Sequence, residues 1–249
     1  MLIRAEFRKL HPVRYISHLE LMDTFRRCFR RANLPVAFSE GYNPHIKLSL
    51  GQPLSVGMKG YAEYFDVELT SQLSEQEFVK SCNDKLPSGI RITEAREVPS
   101  GVRSLQAVVN TAIYQFIMEF QEEIASQKII RKFLQQEEIK IIRFRRNKED
   151  RELDLKPLLY SGEVVPKKEA VASISDRKNR QGSFAKEKWR FTVSTGSSGN
   201  VRPAEVIRAL ADFDKRIIKI PVVNIIREGM FVRLKKELYK PFSSTIVRR

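Results

Sequence analysis

Within the first hundred residues the hydrophobic period switches repeatedly between two and about 3.6, and that alternation leaves the chain few folds to choose from. Residues 2–10, LIRAEFRKL, set Ile3, Ala5 and Phe7 against Arg4, Glu6 and Arg8, the pattern of a half-buried strand. Ser17 and Glu20 then form a capping box, and Leu21, Met22, Phe25, Cys28, Phe29 and Ala32 recur at helical spacing. Arg26, Arg27, Arg30 and Arg31 fall on the opposite face, and Asn33-Leu34-Pro35 stops the helix because proline disfavours helical geometry in the residue before it. Val36 to Phe38 opens a second strand, interrupted at 39–44 and resumed over His45 to Leu50, and Tyr61 to Leu69 alternates as a third. A second capping box, Ser74 with Glu77, begins a helix reaching to about Leu86, and Ile90 to Val98 reads as a fourth strand. The order is β-α-β-β-α-β, the signature of the ferredoxin-like split βαβ fold.

The remaining residues repeat the scheme. Val108 to Phe120 reads as a long strand, 121–136 as a helix on Ile124, Ile129, Ile130, Phe133 and Leu134, and Ile139 to Arg145 and Leu153 to Leu159 as strands. Trp189 to Ser194, a helix entered at Pro203, and a last strand over Ile217 to Ile226 complete the set. Between Ser161 and Lys188 no periodicity survives, which predicts a long flexible excursion. The expected fold is therefore α+β, two tandem ferredoxin-like domains over 1–100 and 101–249, with a basic insertion at 161–188 in the second. A chain of 249 residues suits two such domains.

The charge is less even than the fold. Lys and Arg number 45 against 30 Asp and Glu, a formal +15. Residues 1–100 hold 14 basic and 12 acidic side chains, which leaves 31 and 18 for 101–249. A surplus of this size points to a polyanionic partner, RNA or DNA, more than to a membrane surface. The N-terminus lacks the apolar run of a signal peptide, and nothing approaches the roughly 20 apolar residues of a membrane helix, so a cytoplasmic protein is expected. Cys28 and Cys82, without C-x-x-C spacing, read as buried free thiols and argue against a disulfide framework or a metal site.

Candidate chemistry gathers between Tyr15 and Gly57. His18 is the first helical residue after Ser17, and the loop beyond the helix holds Tyr42, Asn43, His45 and Lys47 among Gly41, Gly51, Gly57 and Gly60. A helix N-terminus presents free N–H groups and positive partial charge, and glycines allow close backbone approach, so an anion would suit both. Metal-independent RNA cleavage needs a general base, a general acid and a cation for the phosphorane charge. His18, His45, Tyr15 or Tyr42, and Lys47 are the candidates for those roles, with His11 as a further histidine. The plainer reading is a capping histidine at His18 and turn glycines in the loop. No catalytic residue is assigned, and binding is favoured.

For nucleic acid the strand IKIIRFRRNK places Lys140, Arg143, Arg145 and Arg146 in a basic stripe, and the insertion adds Lys167, Lys168, Arg177, Lys178 and Arg180. Arg202 at the entry to the last helix, and Arg26, Arg30, Tyr42, Asn43, His45 and Lys47 from the first domain, complete the candidate RNA-contacting set. Phe144 and Trp189 would stack on bases if exposed and otherwise belong to the core. No RNP1-like aromatic motif is present, which argues against a standard RRM.

At RYISHLELM, RRANLPVAFSEGYNPHIKLSLGQPLSVG and AEYFDVEL, and more weakly at ELDLKPLL, NVRPAEVIRAL and IIREGM, the sequence resembles the prokaryotic radical SAM-associated domain of unknown function. That family occurs alone or as the C-terminal part of proteins with a cobalamin-binding-like radical SAM region. The resemblance implies a radical SAM enzyme as partner. Two distant cysteines cannot supply the three of a SAM-bound cluster, so no cofactor is expected in this chain, and the iron–sulfur cluster, SAM and cobalamin would belong to the partner. The tandem architecture resembles, more distantly, the RAMP-type endoribonucleases that process CRISPR repeats, although Gly229 stands nearly alone where they carry a glycine-rich loop. The leading expectation is an accessory RNA-binding protein acting with a radical SAM enzyme. A metal-independent RAMP-type endoribonuclease using His18 and His45, and a protein-interaction module that binds no nucleic acid, are the alternatives.

Overall fold

Both faces of the first strand, β1 (Leu2–Lys9), are buried, and this decides how its surroundings are built. The computed structural model describes residues 1–120, 124–144, 149–166, 185–217 and 220–247. It is a mixed α+β structure with mainly antiparallel strand pairing, in two compact units: 1–112 with 195–198 and 226–249, and 113–194 with 199–225. Among the described residues no helix is long and apolar enough to cross a membrane.

In the first unit β1 lies between β3 (Lys59–Glu68) and β4 (Ile90–Val98), antiparallel to both, with Ala5 opposite Phe65 on one side and Ala95 on the other. Side chains alternate across a strand, so Ile3, Ala5 and Phe7 share one face. Against that face packs α1 (His18–Arg31), begun by the Ser17–Glu20 capping box, with Leu21, Phe25, Cys28 and Phe29 buried. Phe25 meets Phe7 edge-on at 4.9 Å and Phe65 at 4.6 Å, and Phe78 of α2 (Glu75–Asn83) closes the same core. Cys28 and Cys82 are free and buried in it, the Cys28 thiol donating to the Cys82 carbonyl at 3.3 Å.

The other face of β1 departs from the expected half-buried strand. Arg4 is fully buried, its guanidinium donating to both Asp66 carboxylate oxygens at 2.7 and 2.8 Å and to the carbonyls of Arg103 and Pro241. Glu6 accepts from the Tyr64 hydroxyl at 2.8 Å. Chain from beyond residue 100 covers this face, and for that reason the first unit does not end at 100.

The expected second strand also shortens. Only β2 (Leu48–Leu50) forms, pairing with β3, while Val36 bridges to Leu69 and Phe38 to Ile46 as isolated contacts. Where a strand over 108–120 was expected, a short helix α3 (Leu105–Val108) precedes β5 (Thr111–Phe120). The last strand lies not at 217–226 but at β10 (Ile225–Leu234), which runs parallel to β3 with Ile226 opposite Lys59 and turns into β11 (Glu237–Tyr239). Apolar burial explains its return to the first unit: Met230, Val232 and Ile246, the last on α6 (Ser244–Val247), are buried with Tyr64, Leu105, Val108 and Val109.

In the second unit the strand order is β5, then β9 (Ala185–Ser194), then β8 (Leu159–Val165), with Val165 opposite Lys188. β8 and β9 take up both ends of the expected 161–188 excursion, residues 161–165 and 185–188 being strand, and 167–184 lie outside the described residues. The helix α4 (Ser126–Leu134) buries Ile129, Ile130 and Phe133, and Phe133 touches both Phe191 and Phe213 of α5 (Pro203–Phe213). The hairpin of β6 (Lys140–Arg143) and β7 (Arg151–Asp154) forms its own two-stranded sheet.

Candidate functional site

The capping box at Ser17 places His18 at the first turn of α1, half-buried, at the edge of a small cavity. Lys9 of β1, Leu21 of α1, Leu50 of β2, Gly51, Gln52 and Leu54 beyond it, and Glu63 of β3 are among its lining, and its volume is about 10 Å³. Three of the charged side chains here are almost fully buried: Lys9 at 1%, Glu63 at 4% and Arg227 at 1% exposure. Arg227 of β10 grips Glu63 through both carboxylate oxygens, the Nε–Oε1 bond at 2.8 Å, and donates to the carbonyls of Gln52 at 2.7 Å and Pro53 at 3.2 Å. Such a pair holds in a low-dielectric interior only when its remaining hydrogen-bonding groups are satisfied, and here backbone carbonyls satisfy them. Gly60 is required beside it, because a Cβ there would stand 2.6 Å from Glu63 Oε1.

Lys9 has less support. Its ammonium donates to the Ile16 carbonyl at 2.7 Å, and among the described residues it forms no contact ion pair. Burial pushes its pKa down, with Glu63 opposing and Arg227 reinforcing the shift. His18 is likewise held below the usual imidazole value, first by burial, then by the charges of Arg227 and Lys9, against Glu63. At neutral pH its ring is the uncharged form, able to accept a proton or a hydrogen bond.

The other candidate residues of this stretch lie elsewhere. Residues 37–39 and 45–47 form a small hairpin: Ser39 N–H donates to the His45 carbonyl at 2.8 Å and His45 N–H to Ser39 Oγ at 3.0 Å. Gly41, at φ +117°, turns its tip, and Tyr42 stands 100% exposed there with Asn43 and His45 also in solvent. Lys47 pairs with Glu68 at 3.0 Å. Tyr15 is exposed, its ring edge-on to His11 and under the Arg14 guanidinium. None of Tyr15, His45 and Lys47 lines the cavity beside His18, so the structure joins His18 to Lys9, Glu63 and Arg227 instead. Among the described residues, no three His, Cys, Asp or Glu side chains cluster as a metal would need.

The cations expected to meet RNA have diverse settings. On α1 Arg26 pairs with Asp23 at 3.0 Å, whereas Arg30 is exposed and, like Arg27, in no ion pair among the described residues. Lys140 pairs with Glu138. Arg143 is held by both Glu205 oxygens at 2.7 Å and by the Asn200 carbonyl, so it joins β6 to the start of α5 rather than facing solvent freely. Arg202 is exposed at that helix start, its backbone N–H donating to Glu205 at 2.9 Å. Arg145, Arg146, Lys167, Lys168, Arg177, Lys178 and Arg180 lie outside the described residues. Trp189 is buried against Phe120 at 5.6 Å, and Phe144 is exposed with the Arg208 guanidinium 5.2 Å over its ring.

Two groups escaped the sequence reading. Lys9 and Glu63 lie in phase with Phe7 and Phe65 on the core face of their strands, yet as charged residues they do not read as interior, and nothing local ties Arg227 to them. The second group is on α4, where Lys128, Arg131 and Lys132 are all exposed and free of ion pairs among the described residues. Their i, i+3, i+4 spacing puts them on one face, a signal that was present in the sequence.

Comparison with known proteins adds a family. Residues 2–203 match the model of a family described as "Uncharacterized protein conserved in bacteria" (DUF2344). Among solved structures, a chain of the "Crystal Structure of a Cbf5-Nop10-Gar1 Complex" aligns at 13% identity and a TM-score of 0.44, over 92% of this chain and 47% of that one, so this chain spans about half its length. No curated protein matches.

Proposed function

The chain belongs to the DUF2344 family of uncharacterized bacterial proteins, and from that premise we propose that it is an accessory RNA-binding protein that presents RNA to a radical SAM enzyme. The outer face of α4 carries the proposal. Lys128, Arg131 and Lys132 stand together there in solvent, with no carboxylate partner among the described residues. Cations left unneutralised in this way can each replace a counterion condensed on a phosphate backbone, and the release of those ions drives association. The formal charge of +15 supports the same reading.

The radical SAM partner rests on the resemblance at RYISHLELM and the stretches that follow it. The iron–sulfur cluster, SAM and cobalamin are the partner's in this proposal. We read the fold as two ferredoxin-like units. The first has β1 between β3 and β4 with β2 on the far side of β3. Along the chain β5, α4, β8, β9 and α5 follow the β-α-β-β-α part of the same order, with β6 and β7 as an insert, while β10 lies in the first unit.

Filter binding of a structured RNA to the chain with Lys128→Gln, Arg131→Gln and Lys132→Gln tests the α4 face. Each lost phosphate contact lowers the slope of log K against log salt by about 0.7 to 0.9, so a reduction of about 2 to 3 is expected. A slope equal to that of the unmodified chain contradicts the proposal. Co-purification adds a second reading: partner enzyme recovered without nucleic-acid absorbance would favour a plain protein-interaction module.

A further inference from the structure

We propose that the cavity lined by Lys9, His18, Gly51 and Gln52 is a binding site for one terminal oxygen of an oxyanion, a phosphate monoester or a carboxylate. Hydrogen-bond accounting leads to this assignment. Arg227 gives four N–H donors to Glu63 and two backbone carbonyls. Lys9 carries three N–H donors and gives one to the Ile16 carbonyl. The His18 ring makes no hydrogen bond among the described residues, and His18 lines the same cavity. A buried ammonium without a contact anion is costly, and Lys9, with two N–H donors left over, lines the same cavity as His18.

Charge and size agree with the donors. Glu63 is held by Arg227 through both carboxylate oxygens and Glu20 is turned back onto the Ser17 N–H at 2.7 Å, so each acts on Lys9 only through space. A volume of about 10 Å³ admits one oxygen atom, not a whole phosphate, so the remainder of the ligand lies at the mouth beside the first turn of α1. The site is independent of the α4 face, and its test can fail while RNA binding stands.

The experiment follows the imidazole resonances of the whole chain by NMR while inorganic phosphate, acetate, and one RNA oligomer with and without a 5′-phosphate are added in separate titrations. The His18 ring is expected to shift saturably, with His11 and His45 as internal controls, and Lys9→Met is expected to weaken the response about tenfold, as loss of a charge-assisted bond implies. A response to phosphate or acetate alone identifies a small ligand, and one confined to the 5′-phosphorylated RNA identifies an RNA end. A His18 ring that moves no more than those of His11 and His45 overturns the proposal, as does full affinity in Lys9→Met. Should Lys9→Met fail to fold, His18→Asn at the half-exposed helix start serves in calorimetry with phosphate, where unchanged affinity is equally fatal.

Discussion

His18 sits at the first turn of α1 with Lys9 of β1, Glu63 of β3 and Arg227 of β10 acting on it, and two of those three are cations. Burial first, and then the charges of Arg227 and Lys9, make the folded protein resist protonating this imidazole more than the unfolded chain does. Its folded pKa lies below the ordinary value near 6.5, so the unfolded state binds more protons once pH falls through that value. Stability is retained above about pH 6.5 and lost as pH drops toward the folded value. Urea unfolding at pH 8 and pH 5.5 is expected to show a larger loss for the unmodified chain than for His18→Asn, and equal losses would contradict the assigned environment. Sequence showed His18 as a capped helix residue but gave it the wrong companions. Lys9 and Glu63 lie in phase with Phe7 and Phe65 on the face that α1 covers, and the guanidinium that pairs with Glu63, Arg227, comes from the far end of the chain.

Among the elements, those with a local cause were the most legible. Ser17 with Glu20 and Ser74 with Glu77 mark helix starts because the partners lie three residues apart, and both helices begin there. β10 was misplaced because its burial depends on Tyr64 and on Leu105 to Val109, more than 100 residues away. The basic stripe of β6 divides for a similar reason, since Arg143 finds Glu205 of α5. Arg143→Ala is expected to lower stability by about 2 kcal/mol, the scale of hydrogen bonds to a charged group, while leaving RNA affinity unchanged. Urea unfolding and filter binding on the same variant check both, and lost RNA affinity at full stability would return Arg143 to the interface. On α4 the apolar stripe was legible, and the cationic stripe opposite it follows from the same helical period.

At the scale of the whole molecule the formal charge divides unequally, with 14 basic against 12 acidic side chains over residues 1–100 and 31 against 18 beyond. That asymmetry was readable by counting, and it places the main attraction for a polyanion outside the residues that build the His18 cavity. The C-terminal return of 226–249 was not readable, because chain order alone cannot say which core a distant strand will enter. The central claim is a hold on the RNA backbone by unpaired cations, and the equilibrium affinity for a structured RNA measured across a salt series tests it most directly. Tight binding at low salt is predicted, with log K falling linearly against log salt at a slope steeper than about −2, the share of the three α4 cations alone. No binding at low salt, or an affinity indifferent to salt, would contradict it.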